Sequence, residues 1–290
     1  MNTPAALARP IPTWAGPVML ICGAIAIGFA PIGLRLSAFE PQATGFWRFT
    51  FALPMMAGVI YAQGGRIGRP SKMALLAGLF FGLDIAFWHA SLVMTSVANA
   101  TFLVNLGNAA VGLVAWIALG ERPARIWLIA LAIALVGAFL LSGGAADTGA
   151  TALAGDALAL VAAVMVGLYL FFAKLARRDT GAMQVLFWST ATTLAVMAVA
   201  CGVKGETLIP PSLDWFIWPL ALAVVAHVIG QGLIVAGVGA TPAALAGLLL
   251  LLQPLTSALI AWPLFGEALT QIQLAGCALV LAGVWLAGRR

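Results

Sequence analysis

Residues 95–139 read TSVANATFLVNLGNAAVGLVAWIALGERPARIWLIALAIALVGAF, and residues 241–285 read TPAALAGLLLLLQPLTSALIAWPLFGEALTQIQLAGCALVLAGVW. At an offset of 146 the two stretches align without a gap, and 15 of the 45 positions are identical. Chance in sequence this rich in Ala and Leu would give roughly four or five. The matches include Ala115-Trp116 with Ala261-Trp262, Gly120-Glu121 with Gly266-Glu267, and Gly137 with Gly283. The chain therefore reads as two related halves. Their openings echo one another too: Gly28 precedes Arg35 by seven residues as Gly167 precedes Lys174, and Phe46-Trp47 resembles Phe187-Trp188.

The solvent of both halves is lipid. Of 290 residues 63% are hydrophobic and only 8% charged, with a mean hydropathy of +1.09; a soluble domain carries about 25% charge. A helical crossing takes about 20 mostly apolar residues. Ten such runs can be placed, at 14–35, 42–62, 72–92, 96–119, 125–142, 154–176, 182–202, 214–236, 242–265 and 271–288. They are continuous rather than alternating, which favours helices over a barrel. Five runs per half is an odd number, so the halves must cross in opposite senses. The expectation is an all-α integral membrane protein of ten transmembrane helices in two inverted five-helix repeats, residues 1–146 and 147–290. Inverted repeats that meet near the midplane are the architecture of many secondary transporters.

The basic residues orient the chain. With the N-terminus inside, the cytoplasmic segments hold Arg9, Arg66, Arg69, Lys72, Arg122, Arg125, Lys174, Arg177, Arg178, Arg289 and Arg290, against Arg35 and Lys204 on the opposite face. That bias obeys the positive-inside rule and places both termini in the cytoplasm of a cell inner membrane. The net charge of +5 is thus a topology signal, and no nucleic-acid partner is expected. The first run is longer than the roughly 7–15 apolar residues of a signal peptide and is expected to remain as a span. Cys22, Cys201 and Cys277 lie in apolar runs without metal spacing and read as packed or lipid-facing thiols. The sequence contains no HExxH, GxSxG or P-loop, so an enzyme or an ATP-driven pump is not expected, nor a cofactor or metal. A channel would need rings of carbonyls or charges that the sequence does not show.

Two inverted five-helix halves, each closing its fourth span on an apolar–Gly–Glu junction, resemble the drug/metabolite transporter superfamily of the EamA type. Gly28, Pro31 and Arg35 in the first span and Trp47-Arg48-Phe49 in the second resemble that family's opening half. Within the family the chain is most similar to the aromatic amino-acid exporters of the YddG type, on the strength of Trp88-His89 and the amide-bearing fourth span. The family often has proline where Asn108 stands; the second half keeps it as Pro254. The resemblance implies export of amino acids or similar metabolites from the cytoplasm by alternating access. Partners would be a small-molecule substrate, the bilayer, and protons or a counter-substrate. A monomer is expected, with a homodimer as the alternative.

Polar side chains inside apolar runs are costly and usually face a protein interior or a watery path. Asp84 falls mid-membrane in the third run, with Trp88 one turn on over the same face. They read as a cavity carboxylate beside an aromatic wall, or as packing contacts. His89, Asn105, Asn108, Tyr169, His227, Gln231 and Gln253 are the further candidates for binding substrate, and each could instead be a satisfied core residue. Pro31 and Pro254 break helix hydrogen bonds and are the candidate hinges. Asn99 reads as either a cavity or a packing amide. Arg48 reads as a side chain that snorkels to the interface or pairs with Glu40, with a counter-charge to a substrate carboxylate as the alternative. Glu121 and Glu267 read as helix-end contacts, with gating ion pairs as the alternative, the tryptophans at run ends as interface anchors, and Gly78 and Gly82 as a close-packing GxxxG, within the chain or between chains.

Overall fold

A computed structural model describes residues 12, 14–95, 97–120, 123–142, 149–266 and 268–288. Glu121, Glu267, Arg9, Arg122, Arg289 and Arg290 lie outside these. Among the described residues ten spans are formed: Ala15–Leu36, Pro41–Ala62, Lys72–Leu92, Val97–Leu119, Arg125–Leu141, Ala150–Ala176, Ala182–Lys204, Leu213–Ala240, Ala243–Phe265 and Gln271–Gly288. Seven of them are long and apolar enough to cross a membrane by themselves. Large apolar side chains such as Leu128, Ile129, Val164 and Leu281 point outward around the bundle. In water that surface would aggregate; in lipid it is the ordinary face of a span.

The spans pack with a two-fold pseudo-symmetry. The third span lies against the sixth and seventh, as the eighth lies against the first and second. The fourth lies against the sixth, as the ninth does against the first. The second and seventh, fourth and ninth, and fifth and tenth pair across the axis. Residue contacts obey the same rule. A Cβ on Gly137 would meet Gly276 O at 2.7 Å, and the equivalent Cβ on Gly283 would meet Ala130 O at 2.7 Å. A Cβ on Gly28 would lie 3.1 Å from Gln253 O, and one on Gly167 would lie 3.4 Å from Gly107 O. Lipid tails give helices no hydrophobic reason to associate, so close backbone approach through small residues supplies the contact. Gly78 and Gly82 belong to this set: they pack on Ser189 and Val196 of the seventh span, within one chain.

Three spans depart from a straight α-helix. The first is interrupted at Gly28-Phe29, between helices Ala15–Ile27 and Ala30–Leu36. Pro31 lacks the N–H that would bond the Ile27 carbonyl. The ninth breaks at Leu250-Leu251, between Ala243–Leu249 and Leu252–Phe265. There Pro254 cannot serve the Leu250 carbonyl, and Gln253 N donates to it instead at 3.1 Å. The fourth span, with Asn108 at the equivalent position, is continuous from Val97 to Leu119. In the eighth, residues Ala223–Gln231 form a π-helix, a form found mostly as single turns at functional sites. The breaks in the first and ninth spans meet: Ser257 Oγ donates to the Gly28 carbonyl at 2.7 Å.

The two ends of the bundle differ. At the end bearing Arg35, Phe39, Trp47, Trp215 and Phe216 cluster, with Phe39 on Trp215 and Trp47 on Phe216 edge to face and the other pairs tilted. Nearby, Glu206 accepts the Ala43 N–H at 2.7 Å. Burial pushes the Glu206 carboxyl above its ordinary value, and the Ala43 hydrogen bond opposes that shift. At the other end Trp127 is buried and donates to Ala244 O at 2.7 Å, so it is a helix tie and not the interface anchor its position suggested. Trp14 and Trp285 are exposed, as anchors should be.

Candidate substrate-binding site

A cavity of about 90 Å³ opens where the interrupted helices cross, lined by seven spans. The first contributes Pro31 beside its break, and the ninth contributes Gln253 and Ser257 beside its own. The third presents Phe81, Asp84, Ile85 and Trp88 from one face, at the three- and four-residue spacing that makes helical neighbours. The fourth gives Thr101, Asn105 and Asn108, the sixth Tyr169, the eighth Gln231 and the second Arg48. A second, larger space of about 770 Å³ lies toward the Arg35 end, between Leu34, Arg35, Leu92, Val93, Leu141, Pro254 and Phe265. Pro31, Thr101 and Ser257 line both and form the neck between them.

Toward the opposite end the interior is filled: Leu20, Val111, Ala173, Val238 and Leu249, each beyond the cavity on its own span, are buried in one cluster, and hydrogen bonds to backbone tie the sixth span to the eighth. Arg177 Nε donates to Val235 O at 3.2 Å and its Nη1 to Thr180 O, and Lys174 Nζ donates to Thr241 O at 3.1 Å. These cations sit at the C-terminal end of helix Gly232–Ala240, where the helix dipole favours positive charge. Burial pulls the Arg177 guanidinium below its ordinary value, yet a guanidinium stays protonated in proteins. The molecule is thus open at one end and sealed at the other.

The cavity's polar groups fall into two kinds. Some satisfy one another: Asn108 Nδ2 donates to Asn105 Oδ1 at 2.9 Å, Asn105 Nδ2 to Thr101 O at 2.7 Å, and Gln231 Nε2 to the Tyr169 hydroxyl. Others are left open. Arg48 Nε, Asp84 Oδ1, Trp88 Nε1 and Thr101 Oγ1 are buried without a hydrogen-bond partner. A buried polar atom left unpaired costs free energy, about 1–3 kcal/mol and more for a charge. Such atoms at a cavity wall call for a ligand or water.

Eight of the sequence candidates come together here: Asp84, Trp88, Asn105, Asn108, Tyr169, Gln231, Gln253 and Pro31. His89 and His227 do not. His89 is buried beside Gly45 and Met197, where the second and seventh spans approach. His227 hydrogen-bonds Thr190 at 2.7 Å and lies against the rings of Phe49 and Phe81. Neither lines the cavity; each is packed into a helix contact. Pro254 lines the larger space rather than the cavity, and Asn99 is tied to Asp156 at 2.7 Å. Arg48 corrects the sequence reading: it neither snorkels nor pairs with Glu40 but is 95% buried at the cavity wall. The signal was present, since Gly45, Phe49, Ala52, Met56 and Ile60 mark a buried stripe at helical spacing, and Arg48 stands on it. Thr101 and Ser257 were missed because hydroxyls in apolar runs so commonly bond their own helix; Ser257 does so as well, to Gln253 O.

Comparison with known proteins agrees with this architecture. The chain is 26% identical over 285 residues to the threonine/homoserine exporter RhtA of Salmonella typhimurium, covering 95% of this chain and 92% of that protein. It is 24% identical over 279 residues to an uncharacterized transporter of Archaeoglobus fulgidus, covering 94% and 96%. A solved crystal structure shares the fold with a TM-score of 0.82 at 18% identity, covering 95% of this chain and 96% of that one. The model of the EamA-like transporter family matches twice, at residues 14–143 and 153–289. This multi-pass membrane protein therefore belongs to the EamA-like transporter family.

Proposed function

We propose that the protein is a secondary carrier that exports neutral amino acids, aromatic and other apolar ones among them, or similar small metabolites from the cytoplasm by alternating access. The observation that carries this is the polar cavity at the crossing of two interrupted spans, reachable from one end and sealed at the other. Broken helices at a central site are a recurring feature of secondary transporters. The positive-inside bias makes the Lys174–Arg177 end cytoplasmic, so this conformation faces outward. In the exchange, the Arg177 and Lys174 contacts release as the neck at Pro31, Thr101 and Ser257 closes. Asp84 and Trp88, with the tied amides, hold the substrate during the passage, and Pro31 and Pro254 mark the bending points.

Size adds a preference. A cavity of about 90 Å³ is well below the roughly 300–1,000 Å³ of pockets for drug-sized ligands. In this state it suits small neutral amino acids, in keeping with the named substrates of the Salmonella relative. An aromatic side chain would have to reach through the neck into the larger space.

The test is uptake by purified protein in liposomes of radiolabelled Trp, Phe, Thr, Met, a nucleoside and a sugar, with and without a pH gradient. Saturable amino-acid uptake, with Thr ahead of Trp, is expected. Uptake of the nucleoside or sugar alone would move the substrate class and leave the carrier fold intact. A flux stimulated by the gradient would identify protons as partner, and indifference to it would point to exchange or facilitated diffusion.

A further inference from the structure

The cavity holds a guanidinium and a carboxyl group that do not meet. Arg48 and Asp84 are each 5% exposed, and both line the same cavity, from the second span and the third. Arg48 Nε and Asp84 Oδ1 have no hydrogen-bond partner, and among the described residues no ion pair joins the two side chains. Elsewhere in the same cavity the amides of Asn105, Asn108 and Gln231 and the Tyr169 hydroxyl are tied to one another or to backbone. Trp88, one helical turn from Asp84, adds an indole N–H that can only donate and has nothing to donate to.

From this arrangement we infer that the cavity is a two-pole site for a zwitterion, in which Arg48 and the Trp88 indole N–H receive an α-carboxylate while Asp84 receives the α-ammonium of the same molecule. This rests on the reading of the cavity as an amino-acid site and assigns the atoms that recognise the substrate. Charge balance decides between the alternatives. A substrate with only a cationic group would pair with Asp84 but leave a second positive charge, the guanidinium, buried beside it. A substrate with only an anionic group would do the reverse to Asp84. An uncharged sugar or nucleoside would leave the guanidinium and the carboxylate with only each other as distant counter-charge and no ionic partner in contact, which is the costly arrangement for buried ions. Only a molecule carrying both charges at short separation satisfies both walls at once. Discrimination arises from the unpaired charge that each wrong ligand leaves behind.

The experiment is inhibition of uptake in proteoliposomes. Radiolabelled L-threonine, L-methionine and L-phenylalanine are each competed by the unlabelled amino acid, by its methyl ester, which lacks the carboxylate charge, and by its N-acetyl form, which lacks the ammonium. In the wild-type protein both derivatives should need at least about tenfold more than the parent amino acid for equal inhibition, the effect of one lost charge contact. Arg48→Gln should close the gap between amino acid and ester while keeping that to the N-acetyl form. Asp84→Asn should do the opposite, a cross-over that a merely structural role for either residue would not produce. If the wild-type protein takes up an amino acid but its ester or N-acetyl form inhibits equally well, the two-pole assignment is overturned and the exporter reading stands. If none of the three amino acids is taken up, the exporter reading itself fails, and the assignment with it. The wild-type comparison decides the matter even if a variant does not fold.

Discussion

Gly247→Val is expected to leave little folded protein in the membrane. A Cβ at Gly247 would lie 2.0 Å from the Asn108 carbonyl oxygen and 2.6 Å from Val111. The obstacle is backbone, so no side-chain rotation relieves it; the fourth and ninth spans must separate along their crossing. Neighbours on the ninth span cannot follow easily, because Leu248, Leu249, Leu250 and Leu251 are all buried. Overpacking typically costs about 1–3 kcal/mol and more where a whole element must shift. The expected readout is a melting temperature lowered by roughly 5–10 °C or more, with loss of the monodisperse peak in detergent. Gly202→Val is the control, since nothing lies within 4 Å of a Cβ there. If the two variants behave alike, the fourth and ninth spans do not touch as described. The contact matters for function because it sets Asn108, and through it Asn105, at the cavity wall.

The second large effect concerns the sealed end. Arg177→Ala removes the donors that reach Val235 O and Thr180 O. Hydrogen bonds to charged groups are worth about 1.5–3 kcal/mol, which corresponds to a roughly 10- to 150-fold change in the ratio of two conformations if the bond exists in only one of them. The variant should therefore favour the state open at the Lys174 end. Hydrogen exchange measures this without a ligand. Amides across helix Gly232–Ala240 should exchange faster, while those around the neck near Pro31 and Ser257 should be better protected. Faster exchange at the sealed end with no change at the neck would show that the two ends are not coupled, and would count against alternating access.

Much of the fold was legible in the sequence because the bilayer enforces it. Length and hydropathy locate ten spans, and the offset of 146 exposes the repeat. Proline marks both interrupted spans for a covalent reason, the missing N–H. The site was only partly legible. Asp84 and Trp88 were found because a helix face follows from spacing alone. Arg48 was misjudged because a residue some six positions into a span can turn either to the interface or inward, and packing of the second span on the seventh and eighth settles which. His227 and Gln231 were grouped by their four-residue spacing; in the π-helix Ala223–Gln231 the first bonds Thr190 and the second Tyr169. No residue type announces a π-helix as proline announces a break. His89 failed for a different reason: polarity in an apolar run signals a protein contact but not which one, and its contact is with the second span at Gly45.

Solute counterflow is the most direct test of a carrier with its site at this cavity. Liposomes holding the purified protein and loaded with unlabelled L-threonine are diluted into a trace of labelled L-threonine. A carrier that exposes one site to each side in turn gives a transient accumulation of label above equilibrium. The proposed carrier gives that overshoot in the wild-type protein and loses it in Trp88→Ala, with both proteins folded and monodisperse. Label that merely equilibrates, with no overshoot and no dependence on Trp88, would contradict the account and favour a channel or an unrelated path.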